Sequence, residues 1–176
     1  MSAALPLARR VVRRLSDLGL TLATAESLTG GALAAAVVDV PGAAAVLRGG
    51  VVAYATDLKA ELLGVDPDLL DVRGAVDPEV ARQMADGVRR RLGADVGLAT
   101  TGVAGPASLE GRPPGTVHLA VALPGLVGVR SLVIDGDRSR VRRGTVAVAL
   151  GLVLAAVPGG ASTGGPGTEH VTWIRR

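Results

Sequence analysis

No cysteine and no phenylalanine occur in this sequence, and there is one residue each of tyrosine (Tyr54), tryptophan (Trp173) and lysine (Lys59). Without cysteine there is no disulfide framework and no thiolate chemistry. With only His118 and His170, a histidine-rich zinc site is out of reach, and no metal is expected. The near-absence of aromatics leaves Val, Leu and Ala to build the core. It also argues against the stacking platforms that hold single-stranded nucleic acid. Net charge is +3, too small to imply a nucleic-acid partner. The arginines near the N-terminus flank no uninterrupted apolar stretch, so no signal peptide is expected. The longest apolar run, 145–157, is too short to span a bilayer. The expected setting is therefore cytoplasmic, without membrane or nucleic acid.

The lone lysine is informative because every other basic side chain is arginine. Arginine keeps its charge under all ordinary conditions. Lysine loses its proton when desolvated and can then act as a base. The competing explanation is one surface lysine left by chance.

What the chain has in quantity is small and branched aliphatic residues in patterned runs. Its 176 residues suit one domain with a proper core. Leu7, Val11, Leu15 and Leu18 follow helical spacing. Strands are expected at 21–25, 51–54 and 96–101, with helices at 32–38 and 58–63. A third helix is capped by Asp77, with Pro78 at its first position. Residues 64–77 read as loop with at most a single turn at 67–70, and 107–114 as a surface loop. Strands 116–123 and 127–134 form a hairpin, followed by a helix over 139–156. Residues 1–157 are read as the domain and 158–176 as a disordered tail. This order predicts an α/β fold: a three-layer α/β/α sandwich with a mostly parallel sheet and an antiparallel edge hairpin.

The stretch Thr24-Ala25-Glu26-Ser27-Leu28-Thr29-Gly30-Gly31 joins the first strand to a helix, and open α/β sheets bind ligands at such strand ends. Ser27 and Thr29 offer hydroxyls and Glu26 a carboxylate. The helix N–H groups beyond Gly30 and Gly31 favour an anion. A plain helix cap is the alternative. Two further polar turns, from Tyr54 to Lys59 and from Thr101 through Gly102 and Gly105 to Pro106, follow parallel strands and should share that edge. Arg138, opening the last helix, can hold a phosphate or carboxylate.

These segments, with Arg48-Gly49-Gly50, Gly74-Ala75-Val76, Gly115-Thr116-Val117 and Gly136-Asp137-Arg138, occur in an order and spacing that resemble the CinA C-terminal domain family, which includes stand-alone nicotinamide-nucleotide amidases. The resemblance implies a homodimer that deamidates nicotinamide mononucleotide to nicotinate mononucleotide and ammonia, with no cofactor and a small-molecule nucleotide as partner. It implies a pocket lined by Ser27, Thr29, Gly30, Tyr54, Lys59, Thr101 and Arg138. The catalytic candidates are Lys59, Tyr54 and Ser27, with an activated water as the alternative nucleophile. The substrate-binding candidates are Glu26, Thr29, Gly30, Gly31, Thr101, Gly102, Gly105 and Arg138. The chain departs from the family at Ala44, where the resemblance places the proposed nucleophilic serine, and at Arg73, where a histidine is common. The alternative reading is accordingly a catalytically impaired nucleotide-binding module or a dimeric scaffold.

Overall fold

The computed structural model describes residues 4–158 and 170–175. Its elements are α1 (Ala4–Leu18), β1 (Leu22–Glu26), α2 (Ala32–Val38), a 3-10 turn (Ala43–Ala45), β2 (Leu47–Val52), α3 (Thr56–Leu63), α4 (Pro67–Arg73), α5 (Pro78–Arg91), β3 (Val96–Gly102), β4 (Thr116–Leu123), β5 (Leu126–Val133), α6 (Arg138–Ala156) and β6 (Val171–Arg175). The six strands form one sheet in the order β2-β1-β3-β4-β5-β6. β2, β1 and β3 are mutually parallel, and β4, β5 and β6 then alternate. Four strands therefore run one way, β4 and β6 the other, which is the mixed α/β sheet the element order predicted.

The two faces of the sheet differ in side-chain size, and this sets the layers. Leu22, Val96, Leu98, Val117, Leu119 and Val121 point toward α1, α2 and α6 and join one aliphatic core. Their strand neighbours Ala23, Ala25, Ala99, Ala120 and Ala122 point the other way, toward α5, with Val80, Met84 and Val88. Period-two alternation sorts the large from the small residues. The small face lets α5 sit close. At Gly97 a β-carbon would overlap the Ala85 carbonyl, and at Gly87 it would overlap the Leu63 carbonyl of α3.

Three elements depart from the sequence reading. Residues 67–73 are a helix rather than one turn, because Asp66 caps it by accepting from the Asp68 N–H at 3.0 Å, Pro67 starts it and Leu70 buries its inner face. β2 begins at Leu47 and runs through Gly49-Gly50, ahead of the expected strand start at residue 51. Gly50 packs so tightly on the Thr24 hydroxyl that a side chain would not fit. The described part of the expected disordered tail is a strand: β6 pairs with β5, and Trp173 lies over Gly128, which has no side chain to oppose it. The hairpin is thus interior, and β6 is the edge. Residues 159–169 of that tail lie outside the described residues.

Two outcomes follow from this packing. Gly97→Ala should destabilise the domain by about 2–3 kcal/mol in a urea melt, since backbone rather than a mobile side chain must yield. Removing residues 170–175 should lower Tm, because it exposes the β5 edge and takes away the Trp173 ring that covers Gly128. An unchanged melt would mean that β6 contributes nothing to the folded sheet.

Candidate functional site

The carboxyl ends of β1, β2 and β3 lie at one edge, and the first polar turn is built around Glu26. This residue is buried at the last position of β1. Alternation directs it toward α2, where its carboxylate accepts the N–H groups of Gly31 (3.0 Å), Leu33 (3.0 Å) and Ala34 (2.8 Å). Glu26 thus caps α2 from outside the helix, in place of an N-cap side chain at Gly31. This corrects two expectations. Glu26 does not face a ligand, and the N-terminus of α2 is not an open anion site, because its donors already serve a carboxylate. The Gly30 N–H is also committed, to the Ser27 carbonyl at 3.0 Å.

The neighbouring hydroxyls differ in what they touch. Thr29 is buried and shares a 2.8 Å hydrogen bond with Thr100. Thr101 donates to the Ala75 carbonyl at 2.7 Å, tying β3 to the segment between α4 and α5. Both threonines tie elements together at this edge, Thr29 within the β1–β3 pair and Thr101 to the segment before α5. Ser27 donates its backbone N–H to the Thr100 carbonyl at 3.0 Å, and by alternation its side chain follows Ala23 and Ala25 onto the α5 face. Its hydroxyl makes no hydrogen bond among the described residues, and 8% of the residue is exposed.

Lys59 is buried to 1% exposure. Its ammonium donates to the carbonyl of Ala53 at 2.9 Å, with the carbonyls of Tyr54 and Ala55 at 3.4 and 3.5 Å. Ala53 in turn donates its N–H to the Glu26 carbonyl at 2.9 Å, so Lys59 sits beside the strand position that leads into Ser27. Burial pushes the Lys59 ammonium below its ordinary value, opposed by the charges of Glu110 and then Asp57. A chance surface residue is not what this lysine is.

Arg138 joins the other two turns. One nitrogen donates to the Tyr54 hydroxyl at 2.9 Å and another to the Gly105 carbonyl at 3.0 Å. Tyr54 is 58% exposed, so this pair forms a polar rim and not a buried relay. Gly102 continues β3 opposite Val117. The structure therefore brings Ser27, Lys59, Tyr54, Gly105 and Arg138 to one edge, and assigns Glu26, Thr29, Gly31 and Thr101 to holding it. Ala44 is elsewhere. It lies on the exposed 3-10 turn before β2, whereas Tyr54 and Lys59 follow β2. The six residues of β2 separate them by roughly 20 Å, so a serine at Ala44 would not meet Lys59 of the same chain.

Two residues escaped the sequence reading as site members. His118 is on β4 opposite Thr101, 7% exposed, with Nδ1 2.8 Å from the Ser131 hydroxyl and Nε2 buried without a partner among the described residues. Its phase with Ala120 and Ala122 was the available signal: a polar residue on an apolar face. Arg142 of α6 grips the first turn from behind, through the carbonyls of Leu28 (3.1 Å) and Thr29 (2.7 Å). Nothing in its sequence position announced that.

With this geometry in place, comparison with known proteins is direct. The family model for the CinA C-terminal domain matches residues 4–157. The chain belongs to the CinA C-terminal domain family. A CinA-like protein of Frankia casuarinae is 55% identical over 141 residues, covering 78% of this chain and 33% of that protein. A putative competence-damage inducible protein of Desulforamulus reducens is 50% identical over 140 residues, covering 80% and 34%. The chain thus spans about a third of the length of these relatives. Among solved structures, the competence/damage inducible protein CihA from Agrobacterium tumefaciens superposes with a TM-score of 0.85 at 38% identity, covering 88% of this chain and 96% of that one. A CinA superfamily protein from Escherichia coli gives 0.85 at 34% identity, covering 88% and 90%. The CinA fold is therefore present from α1 to the end of α6.

The buried imidazole gives a pH-dependent outcome. Burial pushes His118 below its ordinary value of 6.5, Asp77 opposes this and Arg112 adds to it. Between the lowered native value and 6.5 the unfolded chain binds more protons, so stability falls as the pH drops through that window. His118→Gln should flatten the loss between pH 7 and 5, read as the difference between the two proteins' urea midpoints. Parallel curves would show that His118 titrates alike folded and unfolded.

Proposed function

We propose that this CinA domain is an amidohydrolase that deamidates nicotinamide mononucleotide, releasing ammonia and nicotinate mononucleotide. The observation that carries this reading is the presence at one strand edge of an unengaged hydroxyl, Ser27, and a buried amine, Lys59. Amide hydrolysis needs a nucleophile and a base to take its proton. In this reading neutral Lys59 removes the Ser27 proton as the oxygen bonds to the carboxamide carbon. The carbon–nitrogen bond then breaks, the departing nitrogen takes the proton back and leaves as ammonia, and water hydrolyses the resulting ester. Arg138 and Tyr54 at the rim suit the phosphate and ribose.

A second reading is favoured by the surroundings of Lys59: the domain keeps a nucleotide pocket but binds without turnover. Three carbonyls around one amine complement a charged ammonium better than a neutral base, since only the ammonium has three N–H donors.

Ammonia release by the purified protein separates the two. On the first reading, wild type releases ammonia from nicotinamide mononucleotide, while Lys59→Met and Ser27→Ala each fall by a factor of about 10² or more with Tm still measurable. On the second, nicotinamide mononucleotide raises Tm and no ammonia appears. Undiminished turnover in Ser27→Ala assigns the attack to water.

A further inference from the structure

One helix reaches all three polar turns of the strand edge. Asp137 caps α6 by accepting the Arg140 N–H at 2.7 Å. Arg138 and Arg142 lie one turn apart, on the same face of that helix. Arg138 reaches the turn after β2 through the Tyr54 hydroxyl (2.9 Å) and the turn after β3 through the Gly105 carbonyl (3.0 Å). Arg142 reaches the turn after β1 through the carbonyls of Leu28 (3.1 Å) and Thr29 (2.7 Å). Val141, between them in sequence, is buried in the aliphatic core and fixes this part of the helix. Among the described residues no carboxylate pairs with either guanidinium. Their donors serve the turns instead.

The two grips differ. Arg138 is exposed and divides its nitrogens between two separate turns. Arg142 is half-buried and holds two successive carbonyls of one turn, with Nε on the first and Nη2 on the second. A planar fork suits such a pair, and a single ammonium does not. No backbone N–H among the described residues reaches the Leu28 carbonyl, whereas that of Thr29 also takes the Ala32 N–H at 3.2 Å. These are the two peptide units that follow Ser27. Ser27 itself is tied only through its backbone, by its N–H to Thr100 and its carbonyl to the Gly30 N–H, both at 3.0 Å. The buried Leu28 side chain and the Thr29–Thr100 bond anchor side chains of the turn. The Arg142 fork is what orients its peptide planes.

We propose that Arg142 is a positioning residue for Ser27: its forked hydrogen bonds to the Leu28 and Thr29 carbonyls fix the turn from behind and so hold the unengaged Ser27 hydroxyl in one place at the edge that carries Lys59. The same helical turn fixes Tyr54 and Gly105 through Arg138, so the three turns are set relative to one another by a single body. This inference rests on the amidohydrolase reading for its purpose, but the first half of its test does not use the reaction. Arg142 touches no reacting atom in that reading. Its loss therefore misplaces the nucleophile without removing a contact to the nucleotide, and displacement of a reacting group by about 1 Å costs on the order of 10²-fold in rate.

The experiment is residue-resolved amide hydrogen exchange on wild type, Arg142→Lys and Arg142→Met. The Ser27 and Gly30 amides should exchange about tenfold faster or more in both variants, with the amides of β4 and α5 unchanged. Arg142→Lys keeps the charge and most of the stem, so the same loss there assigns the effect to the fork. It also carries the test if Arg142→Met does not fold. Equal protection of Ser27 and Gly30 in wild type and Arg142→Lys overturns the proposal. Equal acceleration across the whole sheet overturns it too, because that marks a general loss of stability. Ammonia release from nicotinamide mononucleotide is measured on the same proteins. In Arg142→Lys, kcat should fall by about tenfold or more with KM within about twofold. An unchanged kcat, or a rise in KM in place of the fall in kcat, removes Arg142 from the positioning of Ser27. If wild type releases no ammonia, the amidase reading fails, and the exchange rates alone decide whether Arg142 fixes the Ser27 turn.

Discussion

The buried carboxylate of Glu26 is the constraint on which the strand edge depends. A charged group with 1% exposure is tolerable only when its lone pairs are met, and three helix N–H groups meet them. Those same groups would otherwise be orphans at the start of α2. One residue thus solves two problems of burial and, in doing so, fixes the angle between β1 and α2. The turn between them is then fastened from both sides, by Thr29 against Thr100 on β3 and by Arg142 reaching from α6. Ser27 lies inside this braced turn with an unengaged hydroxyl, so its position is set by neighbours rather than by its own hydrogen bonds. Preorganisation of that kind is what a nucleophile or a ligand-facing hydroxyl requires.

The size difference between the sheet's two faces has a similar reach. Leucine and valine on one face hold α1, α2 and α6 at ordinary distance, while alanine and glycine on the other draw α5 close. Close approach of α5 carries Asp77 and the preceding 74–76 segment down onto the strand ends, where Thr101 and Glu110 can bind that backbone. The alanine-rich face and the cover over the candidate site are consequences of one packing choice. A bulkier residue at Gly97 would change both.

Much of this was legible in the sequence, for reasons that differ by element. β1, β3 and the β4–β5 hairpin announced themselves through alternation, and α5 through Asp77-Pro78 with four apolar residues on one stripe. Convergence of the three turns followed from parallel topology. The errors share a cause in tertiary context. The expected strand started at residue 51, but β2 reaches back through Gly49-Gly50, where the Thr24 hydroxyl on β1 leaves no room for a side chain at Gly50. Residues 171–175 lack a buried face, so nothing local distinguishes a strand added to an existing edge from a loose tail. Glu26 read as ligand-facing because its three partners are set by how α2 folds back, not by local spacing alone. Ala44 fell within a recognisable motif, yet position in a motif does not give position in space: β2 intervenes between that turn and Lys59.

The lone lysine brings composition and geometry to the same place. Its ammonium ties together three consecutive carbonyls where the chain leaves β2 and prepares to enter α3. A compact, three-proton head on a flexible stem suits that cradle, whereas a planar guanidinium presents its donors in a rigid fork. Geometry alone would therefore exclude arginine here even from a purely structural post. What geometry adds beyond structure is location, one hydrogen-bonded step from the strand that leads into Ser27, and an opposition of forces. Desolvation favours the neutral amine; the carbonyls and the acidic neighbours favour the cation. In the proposed reaction, a ligand that excluded water from this edge would strengthen the first of these pulls, toward the neutral amine.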